Sequence, residues 1–475
     1  MCTSITAGNK ATRQGVVLIS RNEDCIRNNW NKYLIYRSHP EYYVASNPGN
    51  TNPVVNNNTW TLGNGLQVPV PEMTFKYNAV PDAGGDEEAS SSILHHYFYE
   101  ERGINQNNVA ISATNSMEDI NKRAKKADQL PPNQPGIAES IIPTLILPQA
   151  VTARHGVELL GGYVDTFGAS EENGILIGDP KDVWYVEIGS AHHWIAVRVP
   201  EDAYIVVANS MRVHGVDLTD EANVLHSKGL LEFVVKHKLL DNADKHNFDF
   251  AKAFGTPGIP DDVDRIWLAQ KILTPSLHQK PRLGQYPLFL KPDNKIGIQD
   301  IMGVLRATYK GTELEGKAHR PIGVERTGES HIITLNSRMP DLLQGIIWQA
   351  IGAPLGAPYM PMYSAMTDIP PAYTQGNSKY SPLSAYWAFR GLFALGSTNK
   401  GEYIQLVQEL WSKYERQFII EQDYINQMLL TMYKSDPDSA VDFASRYSTG
   451  IAYEMVGIAN QERDKLMTKI TQESK

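Results

Sequence analysis

The chain has 475 residues, 42% hydrophobic and 20% charged, enough to bury a large core in two or three average domains or in one multilayer domain with an extension. Its formal net charge of −9 argues against a general nucleic-acid binder, because such proteins concentrate positive charge against phosphates. No run approaches the roughly 18–20 apolar residues that span a bilayer, no secretory signal opens the chain, and two cysteines are too few for a disulfide scaffold, so a cytoplasmic protein without membrane association is expected.

The chain opens Met1-Cys2-Thr3-Ser4, and Cys25 is the only other cysteine. The small residue at position 2 permits removal of Met1, leaving a cysteine with both a thiol and a free α-amine. Those groups form a nucleophile and its general base on one residue, and in free peptides both titrate near roughly 8. Residues 3–7 are short and partly β-branched and predict a strand, with turn residues following to Lys10. Residues 15–20 are an apolar run too short for a helix and predict a second, buried strand that leads into Arg21-Asn22-Glu23-Asp24. A hairpin of these strands returns residues 21–24 to the neighbourhood of Cys2. There Arg21 can stabilise a thiolate and Asp24 can hold the ammonium by a charge-assisted hydrogen bond. On their own, Arg21 and Asp24 would be read as a surface ion pair at a strand end. Cys25 lacks the amine and reads as an ordinary buried or strand-end thiol.

Residues 39–72 are rich in Asn, Pro, Thr and Gly and read as an irregular excursion at one rim, part of a substrate lid. Strands are predicted at 109–113, 183–188, 194–199 and 203–207, the last two joined through Pro200-Glu201-Asp202. Residues 137–160 read as helical with an apolar face that Pro143 and Pro148 must bend or divide. Residues 263–273, 297–308 and 340–351 also read as helices. From about 381 the pattern is strongly helical, in segments 381–397, 401–433 and 437–472. Strands first, interspersed helices and a helical tail give an α+β chain. His192-His193 cannot easily chelate one metal, because neighbours on a strand point to opposite faces. His95-His96 has the same defect. A His-Glu-x-x-His pattern, a Gly-x-Ser-x-Gly elbow and a phosphate-binding Gly-Lys loop are all absent, and no cofactor or metal is expected. Ala83-Gly84-Gly85-Asp86 reads as a flexible loop.

Cys2, a strand hairpin and Arg-Asn-x-Asp together resemble the opening of cysteine-type N-terminal-nucleophile (Ntn) hydrolases, the superfamily of penicillin V acylase, bile-salt hydrolase and dipeptidase A. Further blocks are closer to the dipeptidase A family: Gly103-Ile104-Asn105, Val109 to Thr114, Trp184 to Glu187, His192 to Ala196, Tyr286 to Asp293, Arg320-Pro321-Ile322, Glu329-Ser330-His331, Trp348 and the segment 354–361. The similarity runs from Cys2 to about residue 395. It implies an αββα four-layer sandwich over residues 1–378, with residues 379–475 as a helical extension. It also implies hydrolysis of unblocked dipeptides with broad side-chain tolerance, through a thioester.

By that resemblance Cys2 is the nucleophile and Arg21 and Asp24 are the pair that orients its thiol and amine. Asn209 takes the place of an oxyanion-hole asparagine and Arg265 that of a second active-site arginine. Asn115 aligns with a second oxyanion position, where the backbone N–H donates. The substrate carboxylate is assigned to Arg265 or Arg320, and its ammonium to Glu329 or Asp24. The C-terminal helices are read as packing or oligomerisation surfaces, and a homo-oligomer is expected. Two rival readings remain: an acylase acting on N-acyl amino acids or penicillin-like amides, and an inactive interaction protein. While Met1 stays attached the base is a peptide nitrogen, and the enzyme is expected to be inactive.

Overall fold

The computed structural model describes residues 2–24, 32–38, 54–56, 58–72, 74–81, 99–256, 258–376 and 379–473. Cys25, His95-His96, the 83–86 loop and residues 39–53 of the expected lid lie outside the described residues.

The opening hairpin forms as its sequence predicts. β1 (Thr3–Ala7) and β2 (Val17–Asp24) pair antiparallel with Ser4 opposite Arg21. β2 extends past the apolar run through Arg21–Asp24, all of it buried, because distant segments supply partners for its polar side chains. β3 (Ile35–Arg37) follows. The stretch read as irregular contains a small antiparallel sheet of β4 (Val54–Asn56), β5 (Thr59–Thr61) and β6 (Gln67–Pro69). Trp60 is fully buried there beside Leu62, Leu66 and Val68, so the turn residues punctuate short strands rather than abolish structure.

β7 (Tyr77–Pro81), β8 (Glu100–Asn105), β9 (Ala110–Ser116) and α1 (Lys122–Ala127) lead to the proline-divided segment. Pro143 lies in the first turn of α2 (Ile142–Ile146), where a missing N–H removes no helical bond, so it starts a helix rather than bending one. Thr152 caps α3 (Ala153–Phe167), accepting from the His155 N–H at 3.1 Å. α3 buries Ala153, Val157, Leu160 and Val164 at helical spacing. Gly161 lets this helix lie on Trp194, whose ring would stand 2.1 Å from any added Cβ.

The chain continues through β10 (Asn173–Gly178), β11 (Val183–Ile188), β12 (Trp194–Arg198), β13 (Tyr204–Val207), β14 (His214–Val216), β15 (Val224–His226), α4 (Leu230–Lys236), β16 (Phe248–Asp249) and α5 (Phe250–Phe254). Then come α6 (Pro260–Leu273), α7 (Ile298–Leu305), β17 (Thr327–Leu335), β18 (Gly345–Ile351) and β19 (Met360–Tyr363). The helix predicted over 340–351 is a single 3₁₀ turn followed by strand β18. Gly-Ile-Ile-Trp-Gln-Ala-Ile is buried on both faces of a sheet interior, and such a run carries no period to tell strand from helix. α8 (Ala385–Gly396), α9 (Thr398–Gly401), α10 (Ile404–Ser435) and α11 (Pro437–Glu473) complete the chain, close to the predicted helical segments.

Among the described residues the long strands form two sheets. One runs β13-β1-β2-β17-β18-β19; the other runs β15-β12-β11-β10-β9-β8-β7-β3. Val17, Ile19, Ile333 and Ile347 of the first share a core with Leu176, Tyr185 and Val197 of the second, so the sheets face each other. The opposite face of the first sheet, with Ile5, Leu18 and Trp348, packs on Trp267 of α6, Ile301 of α7, Phe389 of α8 and Leu429 of α10. The opposite face of the second, with Ile111, Ile175 and Trp184, packs on Leu145 of α2 and Leu160 of α3. The architecture mixes helix and sheet, with α10 and α11 continuing the same core as the first sheet. No described helix is long and apolar enough to cross a membrane.

Candidate active site

Strand alternation sorts the polar residues of β1 and β2 by face. Ile5 and Leu18 point to the helical side, while Ser4, Val17 and Ile19 point between the sheets. Cys2 shares the parity of Ser4, and Arg21 that of Ile19. Both therefore meet between the sheets, where Arg21 Nη2 donates to Cys2 Sγ at 3.0 Å. Asn22 and Asp24 have the other parity. Asn22 donates to the carbonyls of Leu305 and Ile322, and Asp24 accepts from Arg320 at 2.7 Å and from Thr327 at 2.6 Å.

Cys2 is 3% exposed, and each of its polar atoms is engaged. Its backbone nitrogen donates to Asn209 Oδ1 at 2.9 Å, and its carbonyl accepts from Arg265. Asn209 follows β13, the neighbour of β1, which is why residues so distant in sequence meet. Its amide orientation is fixed by its partners: Cys2 N and Arg265 Nη2 can only donate to it, and the Ser116 carbonyl, 2.8 Å from Nδ2, can only accept. Asn209 thus presents its oxygen, rather than its NH₂, to the Cys2 nitrogen. Glu187 of β11 holds the loop just beyond, accepting from the Arg212 and Val213 N–H groups.

Arg265 reaches this point from α6, a helix started by Pro260 with Asp261 and Asp262 in its positive first turn. One helical step away, Asp262 Oδ1 accepts from Arg265 Nη2 at 2.6 Å. Arg265 Nη1 also donates to Thr3 Oγ1 at 2.8 Å, so its fork binds β1, Asn209 and its own helix together.

Arg21 is fully buried. Burial opposes its charge, but the Cys2 sulfur, Glu101, Glu139 and Glu23 outweigh it and hold its pKa well above the ordinary value. Glu101 accepts from Arg21 at 2.8 Å, Glu139 lies 3.6 Å from it, and Lys32 bridges Glu23 at 2.7 Å and Glu101 at 3.4 Å. Burial, then the Glu101 charge, raise the Glu139 pKa. Burial also raises that of Asp24, against the pull of Arg320 and Thr327. Arg320 is lowered to about 10 by burial and by Arg265.

The structure therefore gathers Cys2, Arg21, Asn209 and Arg265 in direct contact. Asp24 and Arg320 pair with each other on the other face of β2. Asn115 ties strands together, accepting from Ser4 Oγ at 2.8 Å and donating to the Ala208 carbonyl at 3.0 Å. Glu329 stands opposite Glu23 in the β2–β17 pairing but is fully buried, its oxygens held by His331 at 2.9 Å and Gln349 at 2.7 Å. Its pKa is lowered to about 2, because His331, Gln349 and Arg102 overcome the cost of burial. Glu101, Glu139, Lys32 and Asp262 were not singled out from the sequence. Only Asp262 left a signal, its helical spacing to Arg265.

Residues 1–413 match peptidase family C69. The chain belongs to that family. It is 33% identical over 419 residues to a probable dipeptidase of Latilactobacillus sakei, covering 85% of this chain and 82% of that protein. It is 33% identical over 386 residues to a probable dipeptidase of Salmonella dublin, covering 79% and 83%. A probable dipeptidase B of Streptococcus pyogenes serotype M1 is 28% identical over 467 residues, covering 94% and 89%. For a C69 peptidase the contacts above supply the elements of thiol chemistry: a sulfur with a cation against it, and an adjacent nitrogen held by an acceptor.

Proposed function

We propose that this C69 peptidase is a cytoplasmic cysteine dipeptidase with the αββα sandwich of the Ntn hydrolases, cleaving unblocked dipeptides through a thioester on Cys2. The observation that carries the reading is the convergence on one residue of Arg21 at its sulfur and Asn209 at its nitrogen. Removal of Met1 converts that nitrogen into an amine. Asn209 Oδ1 then accepts one of its hydrogens and turns its lone pair toward the thiol.

The amine takes the thiol proton, and the sulfur attacks the peptide carbonyl under the field of Arg21. The free N–H of the Asn209 amide, the one not given to Ser116, serves the oxyanion. Collapse of the tetrahedral adduct breaks the C–N bond, and the Cys2 ammonium protonates the departing amino acid. Water then hydrolyses the thioester, releasing the second amino acid and restoring the thiol. Arg265 fixes Asn209 and the Cys2 carbonyl, acting as a positioning residue.

Intact mass and dipeptide turnover test the reading on one preparation. Protein beginning at Cys2 should hydrolyse free dipeptides, while Cys2→Ala and a form retaining Met1 should not. Undiminished turnover by either would overturn it.

A further inference from the structure

In a dipeptide the scissile carbonyl carbon is bonded to the Cα that bears the ammonium. When that carbonyl reaches the Cys2 sulfur, the ammonium nitrogen lies only about 4 Å from it. The group that recognises a free amino terminus must therefore stand close to the thiol. Arg21 Nη2 is 3.0 Å from Sγ and 3.6 Å from Glu139 Oε1, so this carboxylate oxygen is at most about 7 Å from the sulfur. An ammonium about 4 Å from the sulfur thus comes within hydrogen-bonding reach of that oxygen, beside Arg21 rather than in line with it.

Three carboxylates surround the two cations here, and they are not equivalent. Glu101 is matched by Arg21 and Lys32, and Glu23 by Lys32, with side chains only 3% and 7% exposed. Glu139 has Arg21 at the longer distance, and its side chain is 16% exposed. The Ser116 hydroxyl, 2.9 Å from its other oxygen, fixes its direction. The fully buried Thr114 hydroxyl lies against the same carboxylate and favours its charged form, without reaching regular hydrogen-bond geometry with it. A carboxylate in charge excess, partly open, beside a buried hydroxyl and within an ammonium's reach of the nucleophile is built to receive a cation.

We infer that Glu139 is the specificity-determining residue that binds the α-ammonium of the substrate, so that the site selects peptides with a free amino terminus. The inference rests on dipeptide hydrolysis at Cys2.

Kinetics with a matched pair, Ala-Ala and propionyl-Ala, which lacks only the amino group, separate the two ideas. The unaltered enzyme should strongly prefer Ala-Ala. Glu139→Gln should lose ~10–100-fold in kcat/KM for Ala-Ala, carried by KM, with no comparable loss for propionyl-Ala, so that the preference collapses. Glu139→Asp, which keeps the charge, should restore much of it, and Ser116→Ala should weaken it in the same direction. Affinity of the Cys2→Ala protein for Ala-Ala, with and without Glu139→Gln, reads binding apart from chemistry and should fall by a similar factor. A Glu139→Gln enzyme that keeps the full preference overturns the assignment while leaving the dipeptidase reading intact. Failure of the unaltered enzyme to hydrolyse Ala-Ala overturns both.

Discussion

Arg320 closes on Asp24 at 2.7 Å, on the face of β2 opposite the one that brings Arg21 to the thiol. Both partners are buried, so neither charge is well served by water once the other is gone. Asp24→Asn or Arg320→Gln alone should destabilise the fold by about 3–5 kcal/mol, and the double variant by less than the two losses added. Urea unfolding of the four proteins checks this. Strict additivity would show that the pair is not energetically coupled.

Arg21 should govern the reactivity of the sulfur. Arg21→Lys keeps a cation but loses the fork that spans Cys2 and Glu101, and kcat/KM should drop by roughly 10²-fold. Alkylation of native Cys2 by iodoacetamide should slow in parallel. A variant with crippled turnover and unchanged alkylation would place the role of Arg21 in substrate binding instead.

Glu187 makes the stability of the fold pH-dependent. Burial lifts its pKa to about 7, although the Arg212 and Val213 N–H groups and Tyr185 work against the rise. Its folded pKa lies above the unfolded one, so its contribution is fully present below about pH 4.5 and is lost as pH climbs through 7. The full shift corresponds to roughly 3 kcal/mol. Unfolding free energies measured between pH 4.5 and 8 should decline with rising pH, and the decline should flatten in Glu187→Gln. An identical slope in the variant would rule Glu187 out as its source.

The C-terminal helices should be indispensable to folding. Glu415 of α10 accepts from Arg306 Nη1 at 2.8 Å and Nη2 at 2.5 Å, and from the Tyr359 N–H at 2.9 Å. Ser448 of α11 accepts from the Tyr363 N–H at 2.9 Å. Glu415→Ala should cost about 3–5 kcal/mol by stranding the partly buried Arg306. Deletion of residues 379–475 should yield insoluble protein, and a soluble, active 1–378 fragment would contradict this.

The segments that sequence reveals best are those whose pattern is local. The hairpin of β1 and β2, strands β11 to β13, α6 and the terminal helices all carry their period or turn residues with them. β18 reads as a helix in sequence because a strand buried on both faces has no alternation, and β10 and β17, buried along their whole length, carry no alternation to mark them either. In the site, the contact of Arg21 with Cys2 follows from the hairpin alone. The partner of Asp24 does not, since Arg320 arrives from a segment whose path only the folded chain defines. The same holds for Glu101 and Glu139, which come from the facing sheet and its adjoining turn.

β1 waits for one of its two neighbours. β1 is flanked by β2 and by β13, near residue 205, and β2 in turn by β17, near residue 330. The Cys2 nitrogen meets Asn209, its acceptor, 207 positions further along the chain. On the proposed reading that interval is when a processing aminopeptidase reaches Met1 most easily, before Asn209 engages the Cys2 nitrogen. If Cys2 acts through its free amine, maturation and folding compete, and slower synthesis of the first two hundred residues should raise the fraction of chains that begin at Cys2, which intact mass reads.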